Sequence, residues 1–599
     1  MIHVVSAGEL PVIAFPQSAA LGLYVPGAGG TVSRQNTIES LRRGTVENAL
    51  LGGRPSGKIL ADLSSEIPPF LAQPAIYVEL PPPGEHANSK RYGIAIQGGG
   101  YRGILTSDAT RIRGLVPIAD IAPTLVALRE GRSPPIRWEA DDDPASDLRA
   151  LDRRLTRIHP DRGWTLTAVV LTVLALAIAV PRAGVLGATA AIAASLLLSW
   201  AGATRLWPIL LGIVGLTIGL ALTGSTRRRL LPIAVGLFFA AYLAVLALSP
   251  ETNSLAVLGA RPDGGGRFYG LTNQLETLLL APLIAAVAVA GLPWLVPLGA
   301  LALVTVGWSK AGADGGGLLV FGTALAILAL RLQRLALTPR RVALAAAAVV
   351  VVALALVGLD AALGGSSHVT RAVGTGPDSL LGDLGHRFHL SWRSATEYWH
   401  RALTFLGCVA VLVWMGTMRP RRATVDALLA ALAVSLLVND TPVDVAGLGA
   451  LGCAALLRWE SVDSRPMRRG ALTAAFVLGV LGLSGCGNQG VVAPTAQNVV
   501  GTVAKEAPGK AIFASQGCDT CHTYAPAAAK GTIGPDLDKL ADYAKTAKQP
   551  LTEFVHESIV NPGAYVEKGF QDVMPKDYGK KLSDAQLNDL VDFLTKPQG

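Results

Sequence analysis

Between Trp164 and Leu457 the chain is one apolar run after another, separated by short polar or basic stretches. Over all 599 residues, 51% are hydrophobic and only 16% are charged, and the mean hydropathy is +0.43. A soluble domain carries about 25% charged residues, whereas long runs without charge are typical of helices that cross a bilayer. The sequence therefore predicts a mainly α protein with a polytopic helical membrane domain at residues 161–460.

Eleven runs are candidate membrane spans, although several are shorter than the ~20 residues that a straight crossing needs. They cover residues 164–180, 184–204, 206–223, 230–248, 275–290, 293–307, 315–330, 342–359, 402–416, 423–438 and 443–457. Arg-rich clusters follow four of them, at residues 227–229, 331–341, 419–422 and 458–469. With eleven spans all four clusters share one side, which the positive-inside rule makes cytoplasmic. Residues 1–160 are then expected outside.

Residues 1–160 precede the first span and have the composition of a water-soluble region. Short apolar runs such as Ile76–Leu80 and Tyr92–Ile96 alternate with Gly and Pro, which predicts mixed α/β structure. The charged stretch Glu139–Arg162 is predicted to be a linker that ends at the membrane. Its run Asp141–Asp143 is predicted to be part of this solvated linker, with a metal site as the alternative.

The segment Gly103–Leu128, GILTSDATRIRGLVPIADIAPTLVAL, resembles the closing part of alkaline-phosphatase-like domains. That resemblance implies a site with two metals, Asp and His ligands and a Ser or Thr nucleophile. The only His residues among residues 1–160 are His3, His86 and His159, and no acidic cluster lies near a plausible nucleophile. We therefore expect a truncated or degenerate domain, with hydrolysis of phosphate or sulfate esters as an alternative function.

The two long outer loops, at 249–274 and 360–401, carry polar motifs that could form a site at the outer face or simply connect helices. The candidate residues are Arg267, Tyr269, Asn273, Glu276, His368 and Arg371. No charge is clearly placed in the middle of a span, which argues against an ion transporter. A transporter-like protein with an accessory haem domain nevertheless remains an alternative.

Residues 467–486 read MRRGALTAAFVLGVLGLSGC, a basic start, an apolar run and a terminal cysteine. Alone this segment resembles a bacterial lipoprotein signal, with Cys486 as the lipidated residue. The alternative is a twelfth span with an inert Cys486. Small and polar residues at 487–507 predict a flexible tether.

The kind of basic residue changes near Cys486, as at a junction between once-separate genes or two joined reading frames. Residues 1–486 contain 38 Arg and 3 Lys, whereas residues 487–599 contain 11 Lys, no Arg and 13 acidic residues, a formal charge of −2. The +9 of the whole chain therefore comes from Arg beside the spans. This pattern argues against a nucleic-acid surface.

The C-terminal region contains Cys518-Asp519-Thr520-Cys521-His522, the C-x-x-C-H pattern of covalent haem attachment. Two thiols at this spacing can each add to a haem vinyl group, and the adjacent His can ligate the iron. A thioredoxin-like thiol pair does not need the His, and a zinc site needs further ligands, for which only His556 follows.

Met574, in the loop Asp572-Val573-Met574-Pro575, is the only Met after Cys486 and is the candidate sixth ligand. A thioether raises the haem potential and favours electron transfer over oxygen chemistry. The alternatives are His556 as the ligand, or Met574 as core filler.

Residues from about 508 to 596 resemble a class I monohaem cytochrome c, and residues 508–599 are therefore expected to form a small all-α domain. The resemblance rests on Gly509 and Phe513 before the haem motif, the Gly534–Leu537 loop of the form Gly-Pro-x-Leu, and a final helix after Ser583. It implies that the Pro535 carbonyl accepts the Nδ1 proton of His522. It also implies that Leu590 and Phe593 of the final helix meet Gly509 and Phe513.

These observations predict a multi-pass protein of a bacterial cytoplasmic membrane whose tethered cytochrome carries single electrons at the outer face. The expected cofactor is one covalent haem c. The expected partners are membrane redox complexes or soluble electron carriers and the lipid bilayer, with no nucleic acid.

Overall fold

The computed structural model describes most of the two folded parts of the chain. The described residues are 2–5, 19–28, 31–46, 59–64, 74–225, 227–264, 267–364, 391–392, 395–396, 399–439, 441–461, 509, 512–513, 516–527, 529–582 and 584–595. The chain divides into two compact units, Met1–Val499 and Val500–Gly599. The predicted lipoprotein-like segment 467–486 with Cys486, the tether 487–507, His368, Arg371 and Ser583 all lie outside the described residues.

The first unit begins with a mixed eight-stranded sheet, which confirms the predicted α/β character of this region. The strands and helices are β1 (Ile2–Val5), β2 (Ala19–Val25), β3 (Thr31–Ser33), α1 (Arg34–Arg43), β4 (Leu63–Ser64), β5 (Ala75–Glu79), β6 (Glu85–Ala87), β7 (Tyr92–Gln97), β8 (Gly103–Ser107), β9 (Leu115–Pro117), α2 (Ile121–Arg129) and β10 (Ile136–Glu139). Their order across the sheet is β10-β8-β2-β7-β5-β1-β4, β9 also pairs with β2, and β3 and β6 form a separate ladder.

Strand β2 is an interior strand of this sheet, and all seven of its residues are buried. It pairs antiparallel with β7 and parallel with β8 and β9. A strand covered on both faces needs a continuous apolar run rather than an alternating one, which is what AALGLYV supplies. The sheet is therefore covered on both faces at β2.

The prediction of a solvated linker at 139–162 is wrong, because most of that stretch belongs to the 36-residue helix α3 (Pro144–Ala179). Asp143 caps the helix by accepting a hydrogen bond from the Ser146 amide at 3.1 Å. Leu148, Leu151 and Leu155 are buried and pack on the same core as β2. Their spacing of three and four residues is helical, but the surrounding charges obscure it.

Among the described residues, eleven apolar helices form a bundle, and each overlaps one of the eleven predicted runs. They are α3, α4 (Pro181–Trp200), α5 (Leu206–Gly224), α6 (Leu231–Leu248), α8 (Asn273–Ala290), α9 (Leu292–Gly307), α10 (Gly315–Leu332), α11 (Pro339–Ala362), α12 (Trp399–Thr417), α13 (Ala423–Val438) and α14 (Pro442–Glu460), with a short α7 (Pro250–Ser254) in a loop. In the part of the chain that the structure describes, nine helices are long and apolar enough to cross a membrane, and α9 and α13 are shorter.

One arginine from each of the four Arg-rich clusters lies at the same end of the bundle, here called the basic end. The contacts that join them are Arg331 to Asp426 (2.9 Å), Arg422 to Glu460 (3.4 Å), Arg458 to the Ile178 carbonyl (3.4 Å) and Arg228 over the Trp459 ring (5.0 Å). The sheet contacts the opposite end, here called the polar end, through Asn88, which donates to the Gly264 carbonyl at 3.1 Å.

The second unit is a small helical domain built around an aromatic core. Its elements are α15 (Cys518–Cys521), β11 (Thr523–Tyr524), β12 (Ala529–Lys530), α16 (Leu540–Ala547), α17 (Leu551–Val560), α18 (Tyr578–Lys581) and α19 (Asp584–Thr595). The two-residue ladder β11–β12 is an addition to the all-α fold expected from the sequence. Three rings pack together in the core, because Phe593 stands edge-on to Phe513 at 6.0 Å and to Tyr524 at 5.4 Å.

The first and last segments of this domain cross at Gly509. A Cβ atom at this position would lie 1.9 Å from the Asp589 carbonyl oxygen and 2.4 Å from Phe593 Cβ. Only glycine lets the two backbones approach this closely. The crossing holds the haem-motif segment against α19.

Candidate functional site

The two cysteines of the C-x-x-C-H pattern lie on one helical turn. Gly517 precedes the turn in the left-handed conformation (φ 75°), and α15 then carries Cys518 and Cys521. Residues three apart on a helix share a face, and both thiols are free and half-buried. Burial, helped by the neighbouring Asp519 charge, raises the pKa of the Cys518 thiol to about 11. The Cys518 thiol is therefore protonated, and both thiols lie on one wall of the domain.

The imidazole of His522 is held in a defined orientation. Its Nδ1–H donates a hydrogen bond to the Pro535 carbonyl at 2.8 Å. A Cβ atom at Gly534 would lie 2.5 Å from the ring carbon Cε1, so a larger residue there would displace the ring. Burial lowers the pKa of His522, although the Pro535 carbonyl acts against this. A neutral ring with Nδ1 engaged leaves Nε2 as the nitrogen for a metal.

The motif opens onto a cleft with about 1200 Å³ of atom-free space. Cys518, Cys521, His522 and Met574 all line it, and the remaining walls are largely apolar and aromatic. The alternative ligand His556 lies on the exposed side of α17 and is not part of the lining. The cleft therefore presents two thiols, one imidazole and one thioether to the same space, the donor set that fits a covalently held haem.

The outer-loop residues singled out in the sequence meet partners from distant helices. Arg267 pairs with Asp314 at 3.0 Å. Asn273 donates to Thr441 at 3.0 Å, and Glu276 accepts from Asn439 at 3.1 Å. The partner residues were not predicted, because nothing in their local sequence distinguishes them from ordinary helix ends.

Tyr269 belongs to a different contact, between the sheet and the bundle. The guanidinium of Arg111 lies 3.7 Å from the centre of the Tyr269 ring and donates to the Ser309 carbonyl at 2.7 Å. Tyr269 is therefore an attachment point for the sheet rather than a member of the Glu276 cluster.

The three His residues of residues 1–160 do not converge on a common site. His3 stacks near Tyr77, His86 contacts the Pro82 and Pro83 carbonyls, and His159 pairs with Asp263. Within the described ranges no group of three or more His, Cys, Asp or Glu residues is placed to hold a metal ion. No observation here favours the hydrolase alternative.

Comparison with known proteins adds one finding. Residues 506–597 match the family model described as Cytochrome c. No curated protein and no solved structure matches the chain significantly. The C-terminal region at residues 506–597 is therefore a cytochrome c domain, and this family implies covalently bound haem c.

Proposed function

We propose that the chain is a membrane-tethered c-type cytochrome that carries single electrons through one haem held by Cys518, Cys521, His522 and Met574. The observation that carries this proposal is that all four side chains line one cleft while Pro535 orients the His522 ring. When bound, the haem supplies a ferric–ferrous couple. The side chains of this domain attach it, ligate its iron and keep water away.

Met574 is favoured as the sixth ligand because it lines the cleft, whereas His556 does not. His522 and Met574 would ligate the haem iron, and the thioether would raise its potential. Iron held by both side chains would not be free to bind oxygen. The proposed reaction is therefore outer-sphere electron transfer rather than oxygen chemistry.

The protein walls support this role by orienting the imidazole and by lowering the polarity around it. The hydrogen bond from Nδ1–H to the Pro535 carbonyl makes His522 a stronger ligand, as second-shell acceptors do. Phe513 and Leu540 belong to the apolar lining and are buried. A hydrophobic shell of this kind controls solvent access and hence the potential.

We further propose that the bundle spans a bacterial cytoplasmic membrane with its basic end in the cytoplasm. Support comes from the nine long apolar helices and from the Arg clusters that meet at one end. The sheet then lies outside. Residues 467–486, starting at the basic end, would carry the chain outward, with Cys486 as a lipid anchor and 487–507 as a tether.

Tethering would keep the haem near membrane redox complexes or docked soluble carriers, because a short flexible linker raises the effective concentration of the attached domain. The net charge of −2 in residues 487–599 makes any steering of acidic partners by the Lys residues of this region weak. Affinity for a partner is thus expected to come mainly from proximity.

The test uses the full chain purified from membranes in detergent. Acid–acetone extraction should leave the haem on the polypeptide, and a redox titration should show one single-electron transition. Protease added to intact spheroplasts should release a haem-staining fragment. Haem that extracts freely, or a cytochrome domain protected until the cells are lysed, would defeat the proposal.

A further inference from the structure

The polar end of the bundle contains a buried carboxylate with one unpaired oxygen. Glu276, in the first turn of α8, is 0% exposed. Its Oε2 accepts a hydrogen bond from Asn439 Nδ2 at 3.1 Å, but Oε1 is buried without a hydrogen-bond partner among the described residues. An unpaired charged oxygen in an apolar bundle is costly, so this atom points to a ligand.

The nearest positive charge is committed to another carboxylate. Arg267 pairs with Asp314 at 3.0 Å and also donates to the Gly312 and Ala313 carbonyls at 3.3 and 3.1 Å. Asp314 in turn caps α10 by accepting from the Gly317 amide at 3.1 Å. Glu276 therefore lies near the negative charge of Asp314, and the positive charge of Arg267 is already paired with Asp314.

Two further charged residues, Asp444 and Arg261, lie near this pair and are joined through Gln274. Arg261 donates to Gln274 at 3.2 Å, and Gln274 donates to Asp444 at 2.7 Å. Beyond Arg261 lies a second group, in which Asp263 pairs with Arg162 and contacts His159.

Among the described residues Glu276 forms no ion pair, and Arg267 is paired with Asp314. One additional positive charge would neutralise the Glu276 carboxylate. The unpaired Oε1 of Glu276 is the atom best placed to take it.

Two side-chain oxygens also lie close to Gly316. A Cβ atom there would lie 3.1 Å from Asn439 Oδ1, 3.4 Å from Asp314 Oδ1 and 3.4 Å from the Val438 Cγ2 methyl group. The Asn439 amide is oriented by its second donor contact, to Ser435 Oγ at 2.8 Å. The absence of a side chain at Gly316 thus leaves a small space with two oxygens and one methyl group at its edge, and oxygen is the donor type that hard cations prefer.

We propose that the polar end of the bundle binds one monovalent cation at Glu276. The bound species is either a proton on Oε1 or a sodium ion that Asn439 Oδ1 and Asp314 Oδ1 also ligate. Both supply a single positive charge at Oε1. This site goes beyond electron transfer and gives the bundle a cation-dependent property of its own.

The experiment uses the full chain in lipid nanodiscs, compared with Glu276→Gln, Gly316→Ala and Glu460→Gln. Glu460→Gln is the matched control, because Glu460 is a carboxylate at the basic end that already pairs with Arg422. Infrared spectra measure the C=O band of a protonated carboxylic acid. Thermal unfolding, in sodium or choline chloride at equal ionic strength, measures stabilisation by sodium.

A bound proton predicts a carboxylic-acid band that Glu276→Gln removes and that Gly316→Ala and Glu460→Gln retain. A bound sodium ion predicts stabilisation by sodium over choline that Glu276→Gln abolishes. Gly316→Ala, which narrows the space without changing any charge, should raise the half-saturating sodium concentration by about tenfold or more.

The proposal is overturned if the band is absent and sodium stabilises no more than choline, or if either effect persists in Glu276→Gln. If Glu276→Gln does not fold, the wild-type band and the sodium response of Gly316→Ala decide the question. Haem content serves as an independent readout, since loss of haem without change in these signals would count against the electron-transfer proposal alone.

Discussion

The cytochrome domain and the polar end of the bundle both gather reactive side chains, but over very different distances in sequence. His522 and the Pro535 carbonyl that orients it are 13 residues apart, whereas Glu276 and its partner Asn439 are 163 apart. A site built within one short segment is encoded by local spacing. A site built from the ends of four helices depends on how the bundle packs.

The largest expected effect tests the short-range site. Replacing Cys518 and Cys521 by Ser should abolish covalent haem, because no thiol remains to form the thioether bonds. Haem-stained denaturing electrophoresis measures the result. Cys408→Ser is the control, since Cys408 is buried in α12 of the other unit and should leave the staining unchanged. Covalent haem in the double variant would show that attachment does not depend on the motif.

The next effect asks whether the aromatic core holds this site together. Phe593→Ala should lower the free energy of unfolding of the cytochrome domain by about 3–5 kcal/mol, because Phe593 is 2% exposed and contacts two other rings. Denaturant titration followed by haem absorbance measures it. Val560→Ala, at a position 36% exposed, should cost about 0.5 kcal/mol or less. Equal losses in the two variants would contradict the proposed core.

The third prediction concerns the only ligand not encoded by the motif itself. Met574→Ala should lower the haem potential by on the order of 0.1 V, within the roughly 0.8 V range over which axial ligands act. The weak near-infrared sulfur-to-iron band should disappear. Redox titration and absorption spectroscopy measure these changes, with His556→Ala as the control. An unchanged potential in Met574→Ala, or a changed one in His556→Ala, would favour the alternative ligand.

The smallest expected effect is a pH dependence of stability, and it tests a contact between residues far apart in the sequence. Burial acts to raise the pKa of Asp263, but the charge of Arg162 and the contact with His159 outweigh it and hold that pKa well below its ordinary value. A depressed folded-state pKa gives stability that is present above the unfolded pKa, about 3.9, and is lost as pH falls below it.

The free energy of unfolding of the wild type, measured by thermal unfolding, should therefore fall by on the order of 2 kcal/mol on acidification below about pH 4. In Asp263→Asn that part of the acid dependence should be absent, although the variant is less stable at neutral pH because Arg162 loses its partner. Asp142→Asn, at an exposed position outside the pair, should keep the wild-type profile. An unaltered acid dependence in Asp263→Asn would show that the pair contributes nothing.

The helix α3 shows where local pattern misleads. Its first half is charged, and the sequence predicted a solvated linker there, yet Leu148, Leu151 and Leu155 are buried against the sheet. Three apolar residues on one helical face suffice when a neighbouring sheet covers them. The charges occupy the remaining faces, which face solvent or form ion pairs such as Asp152 with Arg91 at 2.7 Å.

The sequence by itself determined the haem motif and the eleven apolar runs, because thiol spacing, helix period and hydrophobicity act within a few residues of each other. The same holds for Gly509, Phe513 and Phe593, which the family resemblance placed in contact and which do meet. Only the tertiary structure decided that α3 is continuous and that Asp314 and Asn439 converge on Glu276. Such contacts join residues far apart in the chain, and they exist only once the helices have packed.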